Sequence, residues 1–139
     1  MSKEIKIPAF NFLGYHIQRI NLKRIGNETI EAMKILITST QYDDIEKIYS
    51  LVLTLTIDFN TSKESIIEIL GGFKINDETI LKENNAINAI FSASIYPYLR
   101  TVFQNITSDD RPSLMLPTLD LRNVDLRNGV SLKPNVKHE

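Results

Sequence analysis

The clearest pattern in the chain is YSLVLTLTIDF, at about residues 49–59. Leu51, Leu53, Leu55, Ile57 and Phe59 share one face of a period-two ribbon, and Val52, Thr54, Thr56 and Asp58 share the other. That alternation predicts a strand with one buried face. EAMKILITSTQ, about 31–41, alternates in the same way through Met33, Ile35 and Ile37, and the polar YDDIEK that follows predicts a turn. SIIEILGGFKI, about 65–75, predicts another strand after the turn NTSKE, with Gly71-Gly72 suggesting a bulge or sharp bend inside it. FNFLGYHIQRINLKRI, about 10–25, changes phase, because Tyr15 and Ile17 fall on one alternating face and Ile20 and Leu22 on the other. A bulge near Gln18-Arg19 would shift the phase by one residue, and burial of both faces is the alternative. Four strands joined by turns of a few residues predict an antiparallel sheet, since parallel neighbours need long crossovers.

After residue 75 the period changes. Asn76 or Asp77 can cap a helix, with Glu78 in its first turn. Ile87, Ile90, Phe91, Ile95, Tyr98, Val102 and Ile106 then recur at spacings of three and four, one helical stripe. Pro97 falls inside it, removing one hydrogen bond and crowding the carbonyl of Ala93, so a kink is expected there. RPSLMLPTLDLRNV, 111–124, holds Leu114, Leu116, Leu119 and Leu121 among two prolines. Those prolines exclude a helix interior or a central strand and predict an extended apolar loop packed on something. The reading is a single α+β domain over 1–139, with a loose N-terminal arm at 1–8 and a polar C-terminal tail at 125–139.

Composition narrows the function classes. The chain has 139 residues, 42% hydrophobic and 24% charged, which suits one globular domain. A formal net charge of -1 argues against nucleic-acid binding by bulk charge. No cysteine is present, so disulfides, thiolate metal sites and cysteine nucleophiles are excluded. MSKEIKIPAF lacks the apolar run of a signal peptide, and no stretch has the roughly 18 apolar residues of a membrane span. These features point to a cytoplasmic protein with no membrane insertion.

Candidate chemistry is sparse. The two histidines are His16, on the first strand, and His138, in the tail, which reads as a poor basis for a metal or triad site. Asp43-Asp44 and Asp109-Asp110 are adjacent acids in turns, where carboxylates are usually solvated. Gly71-Gly72 has no phosphate-loop context. No catalytic residue, metal or cofactor is expected. Arg19, Lys23 and Arg24 on the first strand read best as edge charges that discourage strand-to-strand aggregation. The aromatics at 10, 12, 73, 91, 96, 98 and 103 are many for one small sheet with one helix, so a sister subunit or a ligand is expected to cover some of the apolar surface.

The order of these motifs resembles the SecB-type protein-export chaperones. YHIQRINLKR is similar to their first long strand, YSLVLTLTI to their central strand, and EILGGFKI to the strand that ends in glycine and an aromatic turn. IYPYLRTVFQNIT resembles their helix signature, and RPSLMLPTLDL their Pro-Leu crossover loop, so the match runs in order from about residue 15 to 124. The resemblance implies a four-stranded antiparallel sheet with a long kinked helix packed on it and an extended Pro/Leu loop. It implies a non-catalytic holdase that keeps unfolded or pre-export polypeptides in apolar grooves. By carry-over the groove candidates are Phe73, Ile75, Leu114, Leu116 and Leu119, with Phe10 and Phe12 as further candidates before the matched region. It also implies a homo-oligomer, a dimer of dimers, in which Tyr96, Leu99, Arg100 and Phe103, lying off the main stripe, meet neighbouring subunits.

The family's acidic sheet face docks on the SecA translocase motor. Glu28 and Glu68 fall at matching acidic positions and are the candidate translocase contacts. Arg24 stands where the family pattern usually has an aspartate, the charge is milder than the family's, and no second helix is evident after residue 125, all of which weigh against SecA docking. Other readings share the fold. An adaptor, or a dedicated chaperone for one partner such as an antitoxin, would bind a single protein outside export. A small-ligand carrier or enzyme would need a closed pocket with convergent polar groups, which the sequence does not show.

Overall fold

The computed structural model describes residues 7–22, 30–59, 64–107, 114–121, 124, 126–132 and 135–136. Four long strands come first: β1 (Phe10–Asn21), β2 (Ile30–Asp43), β3 (Ile48–Phe59) and β4 (Ser65–Ile75). A 3-10 turn at Glu78–Lys82 leads into the helix α1 (Asn84–Thr107). Three short strands follow, β5 (Leu114–Met115), β6 (Val130–Leu132) and β7 (Asn135–Val136). The main sheet is antiparallel with order β1-β4-β3-β2-β6, and β5 pairs with β7 in a separate two-stranded sheet. The two strands first in sequence are therefore separated by β4 and β3.

The expected four-stranded sheet is present, with one strand more. The residues read as a polar tail supply β6, which pairs with β2. Gly129 makes this approach close: its φ is +79°, and a Cβ there would meet the Lys34 side chain, 3.2 Å from Cδ.

Phase along the strands decides the layers. On β4 the odd positions from Ser65 to Ile75 are buried, and the even ones are half-buried. β3 sets Tyr49, Leu51, Leu53, Leu55, Ile57 and Phe59 on the same side, and β2 adds Met33, Ile35 and Ile37. The helix lies across this face. Its buried residues Phe91, Ile95, Leu99 and Val102 recur at three- and four-residue spacing. Phe91 stacks on Phe73, with centroids 3.9 Å apart and planes 8° from parallel. The one buried polar crossing from sheet to helix among the described hydrogen bonds is satisfied: Tyr49 Oη donates to Asn88 Oδ1 at 2.8 Å.

The phase change in the first strand is a bulge. Register shifts fall between Ile17 and Arg19 and between Phe12 and Gly14. Both are in β1, and the adjoining Gly71-Gly72 step in β4 runs in an unbroken ladder with β3. Gly71 is small for a packing reason instead, since a Cβ there would lie 2.6 Å from Cγ1 of Ile95. Pro97 is accommodated within one continuous helical segment.

The β2–β3 turn is held by its own side chain. Asp43 Oδ1 accepts from the Ile45 and Glu46 amides at 3.0 and 3.2 Å, the local turn bonding that makes aspartate common there. Lys47 closes the turn with a φ of 60°. Glu78 then joins this turn to the start of the helical region, accepting from Tyr42 Oη at 2.9 Å and pairing with Lys47.

Candidate polypeptide-binding surface

β1 is an edge strand of the main sheet, and among the described strands it pairs with β4 alone, on one side of its backbone. The bulges fix which side chains flank that edge. Phe12 lies opposite Phe73, Tyr15 opposite Gly71, Ile17 opposite Ile69 and Ile20 opposite Ile67. All four β4 partners are buried on the helix side, so these β1 side chains stand on that side too. The helix covers them only in part, and Phe12 is the one that is half-buried. Tyr15, Ile17 and Ile20 are 42%, 39% and 41% exposed, and Tyr98 of the helix is 38% exposed beside them.

The aromatic rings connect this strip to the core. Tyr15 stacks on Tyr98 at 4.6 Å, and Tyr98 on Phe12 at 5.6 Å. Phe12 meets Phe73 at 5.1 Å, and Phe10 meets Phe91 at 4.9 Å in an edge-to-face contact. The ladder thus runs from fully buried rings to open ones within a few residues. Its outer end is a strip of rings and isoleucines next to the side of β1 that no described strand pairs, an arrangement suited to an extended apolar polypeptide.

On the other flank of the helix, the Pro-Leu segment is tied down by the helix. Tyr96 Oη donates to the Pro117 carbonyl at 2.6 Å, and Arg100 Nε donates to the Leu116 carbonyl at 3.2 Å. Two side chains one helical turn apart therefore satisfy consecutive carbonyls of an extended segment at its Leu-Pro step. Burial pushes the Tyr96 hydroxyl pKa up to about 12, with the Arg100 charge acting in the opposite direction. Leu116, Leu121 and Leu126 join the buried cluster that contains Leu99 and Phe103.

The residues expected at the site therefore separate by burial. Phe73, Ile75 and Leu116 are enclosed in the chain's own core and offer no surface as folded. Phe10, Phe12 and Leu119 are partly buried against that core. Leu114 pairs through its main chain with Val136. Of the expected subunit contacts, Tyr96, Leu99 and Phe103 are buried within this chain, and Arg100 is half-buried. Leu99 lies in the main stripe that packs on the sheet, and Tyr96 and Arg100 bind the Pro-Leu segment that folds back along the other flank of the helix. Ile90 and Tyr98, counted in that stripe, are instead among the exposed large apolar residues. Glu68 faces away from the helix, 3.8 Å from Arg19 across the β1–β4 pair. Glu28, Lys23 and Arg24 lie outside the described residues. Tyr15, Ile17, Ile20 and Tyr98 were not singled out as site residues. The phase change at Gln18-Arg19 was the available signal, because it returns Ile20 to the face of Ile17.

Among the described residues no group of three metal-ligating side chains converges, and no helix is long and apolar enough to cross a membrane. A cleft of about 110 Å³ lies beside Pro97, Arg100, Thr101, Gln104 and Leu116, and a larger hollow of about 480 Å³, shallow and open to solvent, lies at Lys82, Glu83, Asn85 and Ala86.

Comparison with solved structures places the architecture. The Mycobacterium tuberculosis Rv1957 SecB-like chaperone, solved in complex with a ChAD peptide from the Rv1956 HigA1 antitoxin, superposes with a TM-score of 0.59. The fold is SecB-like. The match covers 80% of this chain and 88% of the SecB-like chaperone, at 13% sequence identity. No family model matches the chain, and no curated protein matches it in sequence. The SecB-like likeness is therefore one of fold, with the antiparallel sheet and the single long helix as its shared core.

Proposed function

We propose that this protein is a SecB-like holdase, which binds unfolded polypeptide on an apolar surface without catalysing a reaction. The observation that supports this is the open strip of Tyr15, Ile17, Ile20 and Tyr98 beside the free edge of β1. Each client side chain fully buried there contributes roughly 1.5–3 kcal/mol. Such contacts are non-directional and accept many sequences, and hydrogen bonds to the β1 edge add affinity for any extended backbone. Folded proteins are rejected because their apolar groups are already buried. Phe10 and Phe12, partly buried, form the floor of the groove in this reading, and Leu119 lies on the other flank of the helix with the Pro-Leu segment. Copies associate through the outer face of the helix, where Ile90 is exposed and Arg100 lies at the margin, and pairs of dimers give the oligomer. Export clients and a SecA contact at Glu68 belong to this reading, in a cytoplasmic setting.

A dedicated chaperone is the second reading. The fold neighbour is complexed with an antitoxin peptide, which favours one defined partner over a broad set of clients.

The test is suppression of aggregation for several unrelated unfolded proteins at near-stoichiometric ratio. The Ile17→Asp/Tyr98→Asp double variant should lose at least tenfold in client affinity while its far-ultraviolet circular dichroism stays unchanged. Protection of a single partner would support the dedicated reading, and full holdase activity in the double variant would exclude the β1 strip.

A further inference from the structure

The C-terminal strand shows what the opposite edge of the sheet accepts. β6 lies antiparallel on β2, with Leu132 opposite Met33, Ser131 opposite Lys34 and Val130 opposite Ile35. One bond lies beyond the strand, from the Ile37 amide to the Leu126 carbonyl at 2.9 Å, and the Gly129 amide bonds the same carbonyl at 3.2 Å to close the turn. Leu132 is buried and Val130 half-buried, on the side of β2 where Met33 and Ile35 enter the core. The tail thus offers β2 a backbone ladder and aliphatic side chains at alternate positions, the features an extended apolar segment would bring.

Its hold is short. β2 runs for fourteen residues, and β6 covers three of them. From Thr40 to Asp43, β2 pairs with β3 on one side and with no described strand on the other. A longer extended segment laid along this edge would form more ladder bonds than β6 does. Beyond β6 the chain pairs again, β7 with β5 of the Pro-Leu segment, so the tail bridges the sheet edge and that segment.

We propose that the β2 edge is a second polypeptide site, occupied in the resting protein by its own tail. Its ligand is an unfolded segment with aliphatic side chains at alternate positions, which displaces β6. This inference rests on the holdase reading, and it deepens it: the apparent client affinity at this edge is the intrinsic affinity multiplied by the fraction of molecules whose tail is released.

The chain has no cysteine, so a single cross-link can be introduced cleanly. In the full chain, Lys34→Cys/Ser131→Cys joins directly opposed positions of β2 and β6. A release variant, Val130→Ser/Leu132→Ser, weakens the tail and leaves β2 intact. The probes are a fluorescent peptide of residues 126–136 and reduced, carboxymethylated α-lactalbumin. The oxidised cross-link should abolish binding of the peptide, and reduction should restore it. The release variant should bind the peptide at least tenfold more tightly than wild type. Equal peptide binding by the oxidised, reduced and release forms overturns the proposal, even where all of them hold α-lactalbumin. Failure of every form to hold α-lactalbumin overturns the holdase reading, and this proposal with it.

Discussion

Gly71 and Ile95 are in mutual contact across the sheet–helix interface, and the missing side chain of one is the space taken by the other. A Cβ on Gly71 would lie 2.6 Å from Ile95 Cγ1, and Ile95 has no solvent exposure. Gly71→Ala is therefore expected to destabilise the fold by about 1–3 kcal/mol through overpacking. This outweighs the gain of about 0.4–1 kcal/mol from a stiffer unfolded chain. Urea denaturation monitored by circular dichroism measures the difference, and a stability equal to wild type would mean that the helix shifts freely over the sheet.

The Phe73–Phe91 stack makes a second prediction. Both rings are fully buried, and the pair joins β4 to the first turns of α1. Phe91→Ala should cost about 3–5 kcal/mol, the usual range for an aromatic-to-alanine change in a core. The same variant removes one of the two ring partners of Phe10, so β1 amides should exchange with solvent faster than in the wild type, by more than those of β3.

Tyr96 should give the fold an alkaline limit. Its hydroxyl is raised from 10.0 to about 12 by burial. Between those values the unfolded chain has released this proton and the folded chain still holds it. Stability from this group is complete below pH 10 and falls as pH rises towards 12, with a limiting slope of about 1.4 kcal/mol per pH unit. Tyr96→Phe should remove that part of the alkaline loss. At neutral pH it should cost about 0.5–1.5 kcal/mol for the hydrogen bond to Pro117. Parallel alkaline denaturation curves for the two proteins would refute the assignment.

Glu78 should act at the acid end. Its carboxyl is held below the ordinary range by hydrogen bonds from Lys47 first and Tyr42 second. A depressed carboxylate contributes above its unfolded pKa and loses that contribution as pH falls through its folded pKa. Glu78→Gln should therefore lower the Tm at neutral pH, and the gap should close below about pH 4. The exposed setting keeps the effect small and sensitive to salt.

The amino-acid pattern by itself determined the four long strands, the antiparallel pairing and the helix, and it marked the phase change in β1, which the register then resolved as a bulge rather than burial of both faces. Each of these is a local property: alternation or three-four spacing records which side of one segment is buried. The pattern could not say what buries it. Tyr96 and Phe103 were assigned to a neighbouring copy, because one helix needs only one apolar stripe against one sheet. In the folded chain Tyr96 and Arg100 bind carbonyls of the Pro-Leu segment instead, and Phe103 is buried within the same chain. β6 has three residues, too few to show a period, so its place on β2 was decided only when the chain returned to the sheet. The strand order has the same origin. It left β1 at an edge, and so left Tyr15, Ile17 and Ile20 partly open, because a side chain's phase is set along the strand and its covering is set by whatever packs across it.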